Sequence, residues 1–324
     1  MGQARVPGPR LSKPVRRDRP LTKTYTAEIQ QQYDKGYRAL KRFLKEHDAP
    51  SPSALAEAHP RVLNEALSGW IRFCYSEGLP LYHAKAAVLK FSDNFWWTRP
   101  SLKACWDLIG EWEHREPPDH REPAPAELVQ SIIGVALAWG WWRVACLIWI
   151  EFHCLLRPGE GIDLLAGDFE HVEHGDVEVI VVTVREPKTK RRFAQKQHVI
   201  IDEPRLIALT NKLLAGRDES EYFYGMSAAT FNNRIALLLE RIGAAGAFTA
   251  AGLRSGGATL EWLKCRNFDG LRLRGRWMSS RTLESYIQEC ATQLKLSKYS
   301  LEQRKKFREL ALMAMEILEE IIAV

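Results

Sequence analysis

Ile29, Tyr33, Tyr37, Leu40, Phe43 and Leu44 recur every three or four residues, the spacing that gathers side chains on one helical face. Thr26 stands ahead of them as an N-cap, so a helix is predicted to about His47, where Asp48–Pro52 breaks it. Pro60 fits the first turn of a second helix. Its apolar face is Leu63, Leu67, Trp70, Ile71 and Cys74, and Gly78 stops it. A third helix is predicted from about Tyr82 to Trp97. A fourth follows Pro100 and carries Leu102, Cys105, Trp106, Ile109 and Trp112. Residues 25–115 therefore read as a domain of four or five helices.

Pro117, Pro118, Pro123 and Pro125 make Glu116–Pro125 a stiff linker, because proline disfavours helix. A second domain is predicted over 126–324. Ile132–Trp142 and Val144–Ile150 are apolar, and together they approach the ~20 residues of a membrane span. Arg143 would then sit near the bilayer midplane and Gly140 splits the run, so two short buried helices reaching about Cys154 fit better. Glu178–Arg185 is rich in β-branched residues and predicts a strand. Residues 186–196 form a polar, basic loop, and His198–Ile201 returns as a second strand. Helices are predicted over Pro204–Ala215, Ser227–Ile242, Gly257–Lys264, Ser280–Gln293 and Leu301–Ile322. The fold class is mainly α with a small antiparallel β-sheet.

Length agrees with two domains, since 324 residues exceed one ordinary core. A content of 46% hydrophobic and 27% charged residues is that of a globular protein and argues against wholesale disorder. The net charge of +6 favours a polyanionic partner. Its distribution says more: residues 1–24 carry seven basic groups (Arg5, Arg10, Lys13, Arg16, Arg17, Arg19, Lys23) against Asp18 alone. They read as a basic arm that is solvated, lies on phosphates or carries a nuclear address, and they lack a secretory segment. Cys74, Cys105, Cys146, Cys154, Cys265 and Cys290 form no Cys-x-x-Cys pair and read as free thiols of a reducing compartment. No nucleotide-binding Gly-rich loop, His-Glu-x-x-His or metal-spaced cluster occurs, so no cofactor or metal is expected.

Four residues carry candidate chemistry. Arg157 ends an apolar helix and precedes a Pro-Gly break, where a side chain can enter a cleft. Arg254 is followed by Ser255-Gly256-Gly257, small residues that permit a close backbone approach to a ligand. Arginine suits a phosphodiester, because its planar fork stays charged and makes paired hydrogen bonds to phosphate oxygens. Trp277 brings a ring N–H that donates but cannot accept a proton. Tyr286, nine residues further on, brings a phenol that becomes a covalent nucleophile once its proton is removed.

In order and spacing, Leu155-Leu156-Arg157-Pro158-Gly159-Glu160, Ala251-Gly252-Leu253-Arg254 and Gly275-Arg276-Trp277 through Tyr286 resemble the tyrosine recombinase (phage integrase) family. The resemblance spans roughly Glu122–Gln293; Trp277 followed by Ser-Ser-Arg-Thr leans it toward eukaryotic mobile-element members. It implies a helical core-binding domain and an α+β catalytic domain clamping double-stranded DNA. It also implies attack by Tyr286 to give a 3′-phosphotyrosyl link, and exchange within a homotetramer. Arg157 and Arg254 then bind the scissile phosphate, Glu160 supports them, and Asp168 continues the first motif. Trp277 fills a slot that is histidine in most relatives. The family's general-acid lysine sits on a β-hairpin, where Lys188 is the nearest match and Lys190 the second. Lys190, Arg191, Arg192 and Arg276 are assigned to DNA contact. Ala251 departs from the family, which has histidine there. A non-cleaving DNA-binding relative and a type IB topoisomerase-like enzyme are the rival readings. Members commonly pass a C-terminal helix to the next subunit, so Leu301–Ile322 is expected to dock on a neighbouring protomer. The implied site of action is the nucleus in a eukaryote, otherwise the cytoplasm or nucleoid, with no membrane partner.

Overall fold

The computed structural model describes residues 25–117, 122–174, 177–185, 187 and 197–323. They fall into two compact units, one on either side of the Glu116–Pro125 stretch.

The first unit is all helix. α1 (Ala27–Glu46) starts at Thr26, whose hydroxyl accepts from the Ile29 amide. A short α2 (Pro52–Glu57) follows Ser51, which caps it in the same way. Next come α3 (Pro60–Ser76), α4 (Leu81–Asn94), a 3-10 turn over Trp96–Leu102, and α5 (Lys103–Arg115). α1 lies against α4 because Gly36 has no side chain; a Cβ there would stand 3.0 Å from both Ala86 Cβ and Ala87 N. Leu40, Leu44, Leu67, Trp70, Phe91 and Cys105 fill the core. The expected break over Asp48–Pro52 is present, and Pro52 also opens α2. One local expectation fails. Trp106, expected on the buried face of α5, is 37% exposed.

The second unit begins with α6 (Ala126–Ala138) and α7 (Trp142–His153). Gly140, at φ +70°, makes the turn that splits the long apolar run, and both halves are core. Among the described residues no helix is long and apolar enough to cross a membrane. A short α8 (Pro158–Ile162) leads to an antiparallel sheet in the order β1 (Phe169–His174), β2 (Val177–Val184), β3 (Gln197–Ile201). Register pairs Phe169 with Val182 and Ile180 with Ile201. β1 was not expected, since Glu-His-Val-Glu-His has too little apolar character; it forms because the neighbouring β2 offers a partner edge. Four helices follow: α9 (Pro204–Leu214), α10 (Ala228–Ile242), α11 (Ala250–Cys265) and α12 (Phe268–Arg274). The helix predicted over 280–293 is instead two pieces, α13 (Ser280–Glu284) and α14 (Glu289–Ser297).

α15 (Leu301–Ala323) packs on α6 of its own unit, where the sequence led to the expectation of docking on a neighbouring protomer. Ser131 Oγ lies 2.8 Å from the Phe307 carbonyl, and Phe307, Ala314 and Leu318 are buried. Gly134 lets the helix axes close up, since a Cβ there would meet Leu310 O at 2.4 Å. Cys74, Cys105, Cys146 and Cys154 are buried and Cys265 and Cys290 exposed, all as free thiols.

Candidate active site

After α7, Leu155 takes a left-handed backbone at φ +54°, which turns the chain sharply. A non-glycine residue held there costs about 1–3 kcal/mol. Arg157 then lies extended just ahead of α8, with Pro158 opening the helix. Its backbone N–H donates to Glu160 Oε2 at 3.1 Å, and its Nη1 donates to Oε1 at 2.7 Å. Arg276, also left-handed at φ +58°, reaches the same carboxylate with Nη2 at 2.7 Å and Gln197 Oε1 with Nη1 at 3.1 Å. Burial alone would push the Glu160 carboxyl up. The charges of Arg276 and Arg157 outweigh it and hold the carboxyl below its usual range. Arg276 is therefore corrected from a DNA-facing cation to a buried partner of Glu160.

Arg254, on α11, is 2% exposed. Its Nη1 donates to the Leu155 carbonyl and its Nη2 to the Gly275 carbonyl. Its Nε is buried with no hydrogen-bond partner among the described residues. The Trp277 ring centroid lies 4.4 Å from its Cζ and that of Tyr286 5.5 Å. The two ring centroids are 5.1 Å apart. Such ring–cation contacts are worth ~0.5–2 kcal/mol each. Gly275 makes the arrangement feasible, because a Cβ there would fall 1.5 Å from Trp277 Cζ3. Burial, then the guanidinium groups of Arg157 and Arg276, push the Arg254 pKa down, while Glu160 opposes them. The side chain starts so far above neutrality that it stays a cation.

Tyr286 lies on the turn between α13 and α14, half-buried, rather than on a helix. Its carbonyl accepts from Thr259 Oγ1 of α11 at 3.2 Å, which fixes the turn against the helix that bears Arg254. Trp277 is buried and its Nε1 has no hydrogen-bond partner among the described residues. Arg157, Glu160, Arg254, Trp277 and Tyr286 thus converge, from segments far apart in sequence. Lys188, Lys190, Arg191 and Arg192 lie outside the described residues. Asp168 caps Leu165 at 2.8 Å and pairs with Arg185 at 2.7 Å, which anchors the end of β2. Ala251, in the first turn of α11, provides neither a donor nor a base.

The small residues around Arg254 do not admit a ligand, as the sequence suggested. They admit the protein's own backbone. A Cβ on Gly252 would meet Glu122 O at 2.4 Å, one on Gly256 would meet Ala124 O at 2.0 Å, and one on Gly257 would meet Phe152 O at 2.0 Å. Sequence reasoning also missed Glu151, Gln197 and the His153–Asp202–Arg274 cluster. None has a spacing signal, because their partners lie 49 or more positions away in the chain or, for Glu151, no hydrogen-bond partner exists among the described residues.

No family profile matches the chain, and no curated protein sequence matches it. Solved structures do. The XerH site-specific recombinase bound to palindromic difH substrate, in a post-cleavage complex, superposes with a TM-score of 0.48 at 15% identity, covering 76% of this chain and 73% of that one. XerH bound to difH substrate in a pre-cleavage complex gives 0.46 at 14%, covering 75% and 71%. XerA recombinase gives 0.42 at 15%, covering 85% and 98%.

Proposed function

We propose that this chain cuts and rejoins duplex DNA through a tyrosine-linked intermediate, as a site-specific recombinase. The observation that carries the reading is the stacking of Trp277 and Tyr286 on the Arg254 guanidinium, beside the Arg157–Glu160 pair. A phenol, two arginines and an indole donor brought together by folding match the charge that grows on a phosphodiester in its transition state. In this reading the Tyr286 oxygen bonds to phosphorus while the P–O5′ bond breaks. The phosphate stays on the enzyme as a 3′-phosphotyrosyl ester, and Lys188 protonates the leaving 5′-hydroxyl. Neither Ala251 nor Trp277 can take the phenol proton, so water accepts it. The ester conserves the bond energy, and rejoining needs no metal or nucleotide. Phosphate contacts supply most of the DNA affinity, and strand exchange pairs four copies around two duplexes.

A second reading, a DNA-binding relative that does not cleave, draws on Ala251 and on the occupation of both terminal nitrogens of Arg254 by carbonyls. One experiment separates them. Random-sequence nicked duplexes are incubated with the protein, and covalent complexes are recovered under denaturing conditions. The wild type forms adduct, and Tyr286→Phe binds DNA without forming any. Adduct in the Phe variant would move the nucleophile elsewhere, with Tyr299 next in line; no adduct with any duplex would favour the non-cleaving reading.

A further inference from the structure

Arg274 closes α12, one residue before the Gly275–Trp277 segment. Its Nη1 and Nη2 grip Asp202 Oδ2 and Oδ1, each at 3.0 Å, and its Nη2 also reaches the His153 carbonyl at 3.5 Å. His153 Nε2 lies 2.6 Å from Asp202 Oδ1 and 2.9 Å from Arg274 Nη2. One nitrogen cannot donate to the first and accept from the second. The shorter contact, to a carboxylate, identifies Nε2–H as the donor to Asp202. His153 and Arg274 together hold the Asp202 carboxyl well below its usual range.

The three anchor points are telling. His153 ends α7, two residues before Leu155, whose carbonyl holds Arg254. Asp202 follows β3, whose first residue, Gln197, holds Arg276. Arg274 leads into Gly275, whose carbonyl also holds Arg254, and into Trp277, whose ring covers it. The segments that carry Leu155, Gln197 and Gly275–Trp277 are therefore all tied to this one cluster. We infer that His153, Asp202 and Arg274 form a latch that positions Trp277 and Arg254 for the reaction, acting through backbone and not on substrate. The inference rests on the proposed DNA-cleaving function for its rate consequence, though not for its geometry.

The test uses the full chain labelled with fluorotryptophan, with the Trp277 fluorine signal assigned by Trp277→Phe. Asp202→Asn keeps the shape and removes the charge. Displacing a catalytic group by about 1 Å costs up to about 100-fold in rate, so adduct formation falls by about 10- to 100-fold. DNA affinity stays within about twofold, because phosphate contacts elsewhere carry it. The Trp277 signal shifts toward its solvent-exposed position. Arg274→Lys, which keeps the charge without the fork, reproduces the shift, and Asp202→Glu restores part of the rate. Ile235→Val, a core change outside the latch, controls for lost stability and leaves the signal in place. An unmoved Trp277 signal in Asp202→Asn overturns the latch, as does an unchanged adduct rate beside an active wild type. Were the wild type to form no adduct while the signal still moved, the proposed reaction would fail and the latch would stand. Should Asp202→Asn not fold, Arg274→Lys carries the same criteria.

Discussion

Replacing Glu151 with methionine stabilises the larger unit, and more so at alkaline than at acidic pH. Glu151 sits in α7, fully enclosed, with no hydrogen-bond partner for either carboxyl oxygen among the described residues. It presses on α8, where a Cβ built at Gly161 would be 2.5 Å from its Oε1. The titratable groups facing it are Glu160 on α8 and the phenol of Tyr224, which itself lies beside Arg234 of α10. Burial first, and then the like charge of Glu160, push its carboxyl well above the ordinary value. A buried polar group without a partner costs about 1–3 kcal/mol, which methionine recovers while filling similar space. The pH dependence follows from linkage. The unfolded carboxyl titrates near ~4.3. Because the folded value is raised, proton binding supports the fold fully below that pH. The support is lost as pH rises toward the folded value, at about 1.4 kcal/mol per unit. The assay is thermal unfolding of the full-length wild type and Glu151→Met at about pH 5 and about pH 8, where each kcal/mol moves Tm by about 2–4 °C. The variant melts higher at both, with the wider gap at the higher pH. An equal gap at both would show that Glu151 is not held neutral in the fold, and a lower-melting variant would show that its oxygens are satisfied after all.

Arg157→Lys and Arg254→Lys each slow adduct formation by about two to three orders of magnitude, the usual cost of losing one transition-state donor. Only Arg254→Lys also lowers the urea midpoint, because Arg254 is buried and holds two carbonyls whereas Arg157 is partly exposed; equal stability losses would contradict that difference. Gly134→Ala drives a Cβ toward Leu310 O and destabilises the larger unit by about 1–3 kcal/mol as an overpacked contact. An unchanged melt in dilute protein would mean that α15 does not rest on its own α6 in solution.

The helical unit was readable because its cores are periodic: Leu63, Leu67, Trp70, Ile71 and Cys74 fall on one face and are all buried. The boundary near Glu116–Pro125 and the β2–β3 pair were visible through proline and through β-branched residues. The rest was hidden for two reasons. β1 pairs with β2, only a few residues on, but its His and Glu residues carry little strand signal. α15 meets α6 through a glycine, and the glycines near Arg254 receive backbone from 122–124 and Phe152; these partners are distant in the chain, and no local window contains them. Residue type was legible for Arg276 as well, but its partner was not: a cation reads as solvated until Glu160 and Gln197 are seen beside it.

The partners of Arg254 give the site its energetic logic. Its guanidinium holds the carbonyls of Leu155, itself left-handed, and of Gly275, which precedes the left-handed Arg276. The same side chain that would meet a phosphate is also what holds the strained turns in place. Hydrogen bonds to a charged group contribute about 1.5–3 kcal/mol each, comparable to the strain at one left-handed residue. A phosphate oxygen that took one of these donors would free a strained turn to relax, and the turn at Gly275–Arg276 carries Trp277, whose ring lies against Tyr286. Anion binding at Arg254 would therefore move the indole against a phenol whose own turn Thr259 holds to α11. The buried Arg276–Glu160 pair and the Arg274–Asp202 fork limit how far that segment can travel.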